Sequence, residues 1–409
     1  IIEDIDGNKY IDFFDGAGAL NYGHNNDYIK EKLIDYLKND GIMHALDMYT
    51  TPKKEFIKFF EEEVLIPRNL NYKIQFAGPT GTNAVEAALK LARKVKKREN
   101  IFALMGCFHG MTLGSLALTS DKDSRKGAGL PLTNVTHIPT PYMFDKLNVI
   151  EYLDKILTDD HSGVDKPAAI IIETVQAEGG IYVFDEKFLQ GIRTICDKHD
   201  ILLIVDDIQV GCARTGTFFS FERAKIVPDM VVMSKSIGGY GMPMAITLIK
   251  PELDIWKPAE HNGTFRGNQL SMIAAKAGLE VMLNEKVENL AKQGKLFYVY
   301  GGSALLNEGM IKLIEGIDKY LPVSKSKKSD DFSGYIYTVK RDTGTRELYV
   351  KVLSGDLKNR AEIEVGNSGV QRIRSMTKIQ GFNRVKAEEL SAGEIGIVTG
   401  IDAKCGDII

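Results

Sequence analysis

The chain has 409 residues, 44% of them hydrophobic and 26% charged, with a formal net charge of -3, the profile of a soluble globular protein of roughly two or three domains. Near-neutral charge gives no electrostatic argument for nucleic acid or an anionic membrane, and no apolar stretch is long enough to span a bilayer. Four scattered cysteines (Cys107, Cys196, Cys212 and Cys405) lack the spacing of a metal site or a disulfide framework and fit a reducing cytoplasm.

The first segment, IIEDIDGNKYIDFFDG, carries no secretory signal and reads as a hairpin turning at Asp6-Gly7. It does not begin with methionine, which predicts a natural N-terminal segment upstream. From about residue 30 to 295, strand-like runs alternate with helical ones. YKIQFA (72–77) leads to the helix NAVEAALKLARKVKK (83–97), and IFALM (101–105) follows. AAIIIE (168–173), the helix EKFLQGIRTICDKH (186–199), ILLIVDD (201–207), DMVVMS (229–234) and AITLI (245–249) continue the series. Short continuous apolar strands separated by amphipathic helices predict an α/β fold with a mostly parallel sheet covered on both faces. Ligands then bind beyond the carboxyl ends of the strands.

The pattern changes near Lys295. A short strand, LFYVYGGSA, precedes the helix EGMIKLIEGIDKYLP (308–322), and a Ser/Lys linker, SKSKKSD, ends at Asp330. From Phe332 only strand signals remain: FSGYIYTVKR, RELYVKVLSG, AEIEVGN, QRIRSMTKIQ and GEIGIVTGI, bounded by turns such as Asp342-Thr343-Gly344. These predict a small antiparallel β-barrel.

Chemistry concentrates at the strand ends. In DMVVMSKSIGGYG, an apolar strand delivers Lys235 into a glycine-rich loop, and ILLIVDDIQVGCARTG delivers Asp206 in the same way. A surface lysine is the commoner role for any one of 52 Lys plus Arg. A lysine and an acid at neighbouring strand ends are, however, what pyridoxal phosphate chemistry requires. The amine forms a Schiff base, and the carboxylate keeps the pyridine ring protonated. In GPTGTNAVEAALKLAR, Gly81 and Thr82 expose backbone N–H groups at a helix N-terminus, which suits a phosphate, although Thr-Gly-Thr also makes an ordinary N-cap. No Gly-Lys-Ser/Thr ends this loop, so it is not a Walker loop. Phe108-His109-Gly110 offers an aromatic that could stack on a ring or simply fill the core. Gln209 stands where it could reach a phenolic oxygen, and Thr264, in GTFRGNQLS, offers a hydroxyl or a turn threonine.

Together these segments resemble the class III, omega-amino-acid-type pyridoxal phosphate aminotransferases over residues 1 to about 294. DIDGNKYIDFFDGAGALNYGH resembles the opening hairpin of that family, Thr80-Gly81-Thr82 its phosphate loop, and Phe108-His109-Gly110 its ring-stacking motif. Glu173 and Gln176-Ala177-Glu178-Gly179-Gly180 resemble its acidic segment. VDDIQVGCARTG resembles its Asp-Glu-x-Gln-x-Gly-x-x-Arg-Thr-Gly signature, with Asp207 in place of Glu. HALDMYT, VDDIQ, MSKSIGGYGMPMA and EHNGTFRGNQ are most similar to its diaminobutyrate-forming branch.

The resemblance implies a fold-type I large domain, a pyridoxal 5'-phosphate cofactor, a small-molecule amino donor and acceptor, and a homodimer. It further implies that Lys235 holds the cofactor and shuttles the proton. Asp206 pairs with the pyridinium, Gln209 contacts the phenolic oxygen, Phe108 stacks on the ring, and His109 belongs to the cofactor pocket. Gly81 and Thr82 bind phosphate, Thr264 reaches the phosphate of the partner subunit, and Glu178 gates between the two amino-group substrates. The implied reaction is L-glutamate plus L-aspartate 4-semialdehyde to L-2,4-diaminobutyrate plus 2-oxoglutarate.

The last quarter resembles something unrelated. VYGGSALLNEGMIKLIEGIDKYLP, in a 295–323 strand-helix unit, is similar to the end of a translational GTPase G domain, with Ser303-Ala304-Leu305 as its guanine-contacting motif. Residues 332–409 are similar to the following barrel of elongation factor G and the tetracycline-resistance ribosomal protection proteins. That resemblance implies the ribosome as a partner.

Two functions therefore compete: transamination, of this type or of an ornithine or 4-aminobutyrate type, and a ribosome-associated module. The chemistry-bearing residues lie in the first 294 positions, which favours transamination. The family's C-terminal small domain, whose arginine clamps the substrate carboxylate, has no counterpart here; Arg341, Arg346, Arg360, Arg372, Arg374 and Arg384 sit in no matching motif. Weak turnover, a doubtful dimer and a fused reading frame at the linkerless junction near 292–297 are the expectations.

Overall fold

The computed structural model describes residues 2–284 and 331–409, apart from 343–344, 366–368 and 381–382. The chain divides into two compact units, Ile1–Met310 and Ile311–Ile409. The strand, helix and linker expected over 295–330, with Ser303, Ala304 and Leu305, lie outside the described residues.

The first unit is built on seven strands: β1 (Lys73–Gly78), β2 (Ile101–Leu104), β3 (Val135–Ile138), β4 (Ala169–Ile172), β5 (Leu202–Asp206), β6 (Met230–Met233) and β7 (Ala245–Ile249). They lie in the order β1-β7-β6-β5-β4-β2-β3. The neighbours from β6 to β3 pair in parallel, and β7 runs antiparallel to both β6 and β1. The expected mostly parallel sheet is thus present, with one reversed strand inserted near its edge. Edge strand β3 carries a Thr-His pair and escapes a search for apolar runs.

Continuous apolar strands make sense because both faces of this sheet are covered. Phe102, Leu104, Ile170, Ile172, Leu203, Val205, Val231 and Met233 point into one core. Their alternate neighbours Ile101, Ala103, Ala169, Ile171, Leu202, Ile204, Met230 and Val232 point into the other. The period-two side-chain alternation of a strand sends every residue into an apolar layer. Each fully buried Leu, Ile or Phe contributes about 1.5–3 kcal/mol against the entropy of ordering the chain.

The helix Gly81–Lys96 covers the second face with Ala84, Val85, Ala88, Leu89, Leu91 and Ala92. Asn83 Oδ1 accepts from the Thr80 backbone N–H at 3.3 Å at its start, and Lys97 ends it in a left-handed conformation. The helix Glu186–Lys198 covers the first face through Phe188, Leu189, Ile192, Ile195 and Cys196. Its N-cap Asp185 accepts from Phe188 N at 2.7 Å. The N-terminal hairpin pairs Ile2–Glu3 with Lys9–Tyr10, as Asp6-Gly7 predicts.

The second unit contains a five-stranded antiparallel sheet in the order Ser333–Asp342, Thr345–Ser354, Ile395–Thr399, Ser375–Gln380, Asn383–Lys386. Two short ladders, Asp356–Lys358 with Glu389–Ser391 and Glu362–Glu364 with Val370–Arg372, complete it. Ile336, Leu348, Val350, Leu357, Ile363, Met376, Leu390 and Val398 draw all of these ladders around one core. The segment QRIRSMTKIQ, read as one strand, is two, broken at Ile373-Arg374. Among the described residues, no helix is long and apolar enough to cross a membrane, and no cluster of His, Cys, Asp and Glu could hold a metal ion.

Candidate active site

Parallel pairing of β5 and β6 sets the site. Val232 lies in register with Asp206, so Ser234 and Lys235 emerge just beyond that carboxylate at the carboxyl edge of the sheet. Ser234 Oγ donates to the Met244 carbonyl at 2.6 Å and pins the end of β6. Lys235 then opens a short turn, Lys235–Gly238, with φ of +53°, a left-handed conformation that costs a lysine on the order of 1 kcal/mol. Such strain persists only where the surrounding structure holds the turn. Gly239 follows at φ +71°, where a Cβ would lie 2.0 Å from the Ala274 carbonyl oxygen.

The Lys235 amine is half-buried and donates to Gln209 Oε1. Burial is the largest influence on it and lowers its pKa, against the negative charges of Asp206, Glu178 and Glu173. More neutral amine is then present near neutrality than a surface lysine offers. Gln209 Nε2 in turn donates to Glu178 Oε1 at 3.2 Å, which joins the amine, the amide and the acidic loop in one chain.

Asp206 is buried, 4% exposed. His109 Nδ1 lies 2.7 Å from its Oδ2, and Ile208 N donates to its Oδ1 at 3.1 Å. Burial disfavours the His109 imidazolium. The charges and hydrogen bonds of Cys107 and Asp206 outweigh it and raise the pKa well above the ordinary histidine value. His109 Nε2 is buried without a protein partner. Beside it, Glu173 accepts from Phe108 N at 3.0 Å. Burial, with the Asp206 charge, pushes the Glu173 carboxyl up to about 7, His109 opposing. Phe108 itself is only partly covered, which leaves part of its ring free.

The phosphate loop meets these groups through close glycine contacts. A Cβ on Gly81 would sit 2.8 Å from Ile208 Cδ1, and one on Gly110, at φ +121°, would sit 2.8 Å from Thr82 Oγ1. Thr82 Oγ1 donates to Ser115 Oγ at 2.8 Å. The Asn83 N–H donates to the Thr80 carbonyl at 3.0 Å, which leaves the Gly81 and Thr82 amides at the start of Gly81–Lys96 to face an anion. The structure therefore brings Gly81, Thr82, Phe108, His109, Glu178, Asp206, Gln209 and Lys235 into one connected cluster. It does not bring Thr264 there. That residue is exposed, and its carbonyl accepts from His44 Nε2 at 2.8 Å.

Asp207, at the position of the expected Glu, is buried and turned away from the cluster. It accepts from Ser220 N at 3.0 Å and from Ser220 Oγ. Burial pushes its carboxyl up to about 7, while the Ser220 bonds hold it down. Sequence reasoning missed Ser220, and it missed Tyr142, which packs over Gly106 immediately before the Phe108 loop. Tyr142 follows β3, the strand that apolar patterning overlooks, so no local signal marks it.

A model of the family described as aminotransferase class-III matches residues 1–312. The chain belongs to the class-III aminotransferases. A diaminobutyrate–2-oxoglutarate transaminase from Sporosarcina pasteurii is 57% identical to this aminotransferase over 292 residues, 71% of this chain and 68% of the relative. That from Virgibacillus pantothenticus is 59% identical over 276 residues, 68% of this chain and 66% of the relative. That from Halalkalibacterium halodurans is 48% identical over 351 residues, 84% of this chain and 80% of the relative. The chain thus spans about two thirds of the length of the first two relatives.

Among solved structures, an ornithine aminotransferase from Toxoplasma gondii ME49 has a TM-score of 0.62 at 22% identity, covering 85% of this chain and 75% of that one. An S-selective transaminase from Arthrobacter sp. has a TM-score of 0.65 at 22% identity, covering 86% and 74%. They share the fold with this aminotransferase. Its cofactor is pyridoxal 5'-phosphate, as in the family. The residues present fit that group: a strained lysine, a buried carboxylate held by histidine, a partly uncovered aromatic and a glycine-lined helix N-terminus.

Proposed function

We propose that the first unit transfers an amino group from L-glutamate to L-aspartate 4-semialdehyde, giving L-2,4-diaminobutyrate and 2-oxoglutarate. The relatives at 48–59% identity support this substrate pair by their names. The observation that carries the chemistry is the placement of Lys235 just past the end of β6, whose Val232 pairs in parallel with Asp206 on β5. When bound, pyridoxal phosphate supplies an electron sink for the bond-making carbon.

The chain's own residues do the rest. Lys235 would hold the cofactor through its Nζ, and the same amine would carry the proton to and from the substrate carbon. Asp206, hydrogen-bonded to His109, would pair with the ring nitrogen of the bound cofactor. Gln209 would contact the phenolic oxygen, and the partly uncovered Phe108 would cover one face of the ring. Gly81 and Thr82 offer their amides to the phosphate, and Thr264 from a second copy completes that corner in a homodimer. Glu178 admits or rejects the second charged group of each amino substrate. Incubation with pyridoxal phosphate and borohydride, followed by peptide mapping, should place a phosphopyridoxyl label on Lys235; a label confined to another lysine refutes the assignment.

For residues 332–409 we propose a translation-factor-like barrel joined to this unit through 295–323, with the ribosome as its partner and the cytoplasm as its compartment. The resemblance of FSGYIYTVKR and GEIGIVTGI supports the first, together with a hydrophobic core of its own. Four cysteines without a disulfide fit the last.

A further inference from the structure

Glu178 stands at the exposed tip of a very small hairpin, in which Val175–Gln176 pairs with Tyr182–Val183. Two residues per strand cannot hold a position alone. Something outside the ladder must do so, and one side chain touches both strands. Tyr142 Oη donates to Gln176 Oε1 at 2.6 Å on the first strand. Its ring stacks on Tyr182 of the second, with centroids 3.7 Å apart and planes 5° from parallel. Behind it Phe184, buried in the sheet core, lies 6.2 Å away, so the tyrosine is backed by fixed structure.

The floor under this arrangement is Gly106. A Cβ there would lie 2.1 Å from Tyr142 Oη, and a Cβ on Gly179, the residue after Glu178, would lie 2.2 Å from the Gly106 carbonyl oxygen. Gln176 Nε2 donates to the Met105 carbonyl at 3.0 Å, which ties the hairpin to the same peptide segment that leads into Phe108 and His109. Burial raises the Tyr142 pKa, so its hydroxyl remains a neutral donor throughout the working range. The hairpin tip then stands where Glu178 meets Gln209 and, through it, Lys235.

We propose that Tyr142 is the positioning residue for Glu178, locking the hairpin so that this carboxylate favours an amino substrate with a second ammonium over one with a second carboxylate. The proposal rests on the gating role of Glu178 given above. A fixed carboxylate beside Lys235 attracts the free amine of diaminobutyrate and repels the distal carboxylate of glutamate. Freed from Tyr142, the tip swings and both effects fade.

The test compares Tyr142→Phe, which keeps the stack, with Tyr142→Ala, which loses both contacts, and with Glu178→Gln. Amide hydrogen exchange, with and without pyridoxal phosphate, should rise about tenfold or more across 175–183 in Tyr142→Ala and leave β2 and β4 unchanged. In the half-reactions, the kcat/KM ratio of L-2,4-diaminobutyrate to L-glutamate should fall about tenfold in Tyr142→Ala, mostly through KM, and about threefold in Tyr142→Phe. Unchanged exchange in the hairpin overturns the proposal even if turnover is too slow to measure. A Glu178→Gln variant that shifts the ratio while Tyr142→Ala does not overturns it and spares the gate. A ratio unmoved by Glu178→Gln removes the gate, and the proposal with it.

Discussion

Replacing Asp207 by asparagine should stabilise the first unit increasingly as pH rises. The carboxyl is buried, and its pKa climbs from 3.8 to about 7, chiefly through burial. In the unfolded chain the group releases its proton near the ordinary aspartate value; in the folded chain it keeps it until about 7. Between those values the native state binds more protons, so stability is fully present below the unfolded pKa and is lost as pH rises through the folded one. A rise of about 3 units is worth about 4 kcal/mol at roughly 1.36 kcal/mol per unit. Asparagine has the same shape, can still accept from Ser220 N and can donate to Ser220 Oγ, and never ionises. Urea unfolding followed by the fluorescence of Trp256, the only tryptophan, reads this unit. The advantage of Asp207→Asn should be about 2–3 kcal/mol greater at pH 8 than at pH 5. Glu173, also pushed up to about 7, is present in both proteins and cancels in the difference. A parallel pair of pH profiles, or a variant less stable than the parent at pH 8, would refute the reasoning.

Asp206→Ala should still accept the phosphopyridoxyl label on Lys235 but slow the half-reaction with glutamate about 10²–10³-fold; single-turnover absorbance gives the rate, and an unchanged one from an active parent denies Asp206 its role. The two units should also separate: limited trypsin digestion should cut within the lysine-rich stretch 324–331 and release a stable C-terminal fragment. Mass spectrometry showing cuts scattered through 332–409, with no such fragment, would contradict independent folding.

Strand and helix order was legible from the sequence because the sheet is covered on both faces. Each buried strand reads as an unbroken apolar run, and each covering helix carries a stripe. The lysine and the acid were legible too, since each closes such a run before a glycine-rich break. Three things were not. Strand β3 lies at an edge and mixes Thr and His, so its apolar signal is weak. The His109–Asp206 bond joins residues 97 positions apart, and only the parallel packing of β2, β4 and β5 brings them together. The Tyr142–Tyr182 stack joins a loop to a hairpin that has no stability of its own. Local pattern determined which residue types stand at the ends of which elements, because periodicity and turn chemistry act over a few residues. The protonation of the buried carboxylates and the seat of Glu178 were decided by the tertiary structure, because desolvation and cross-chain hydrogen bonds exist only once the layers have closed.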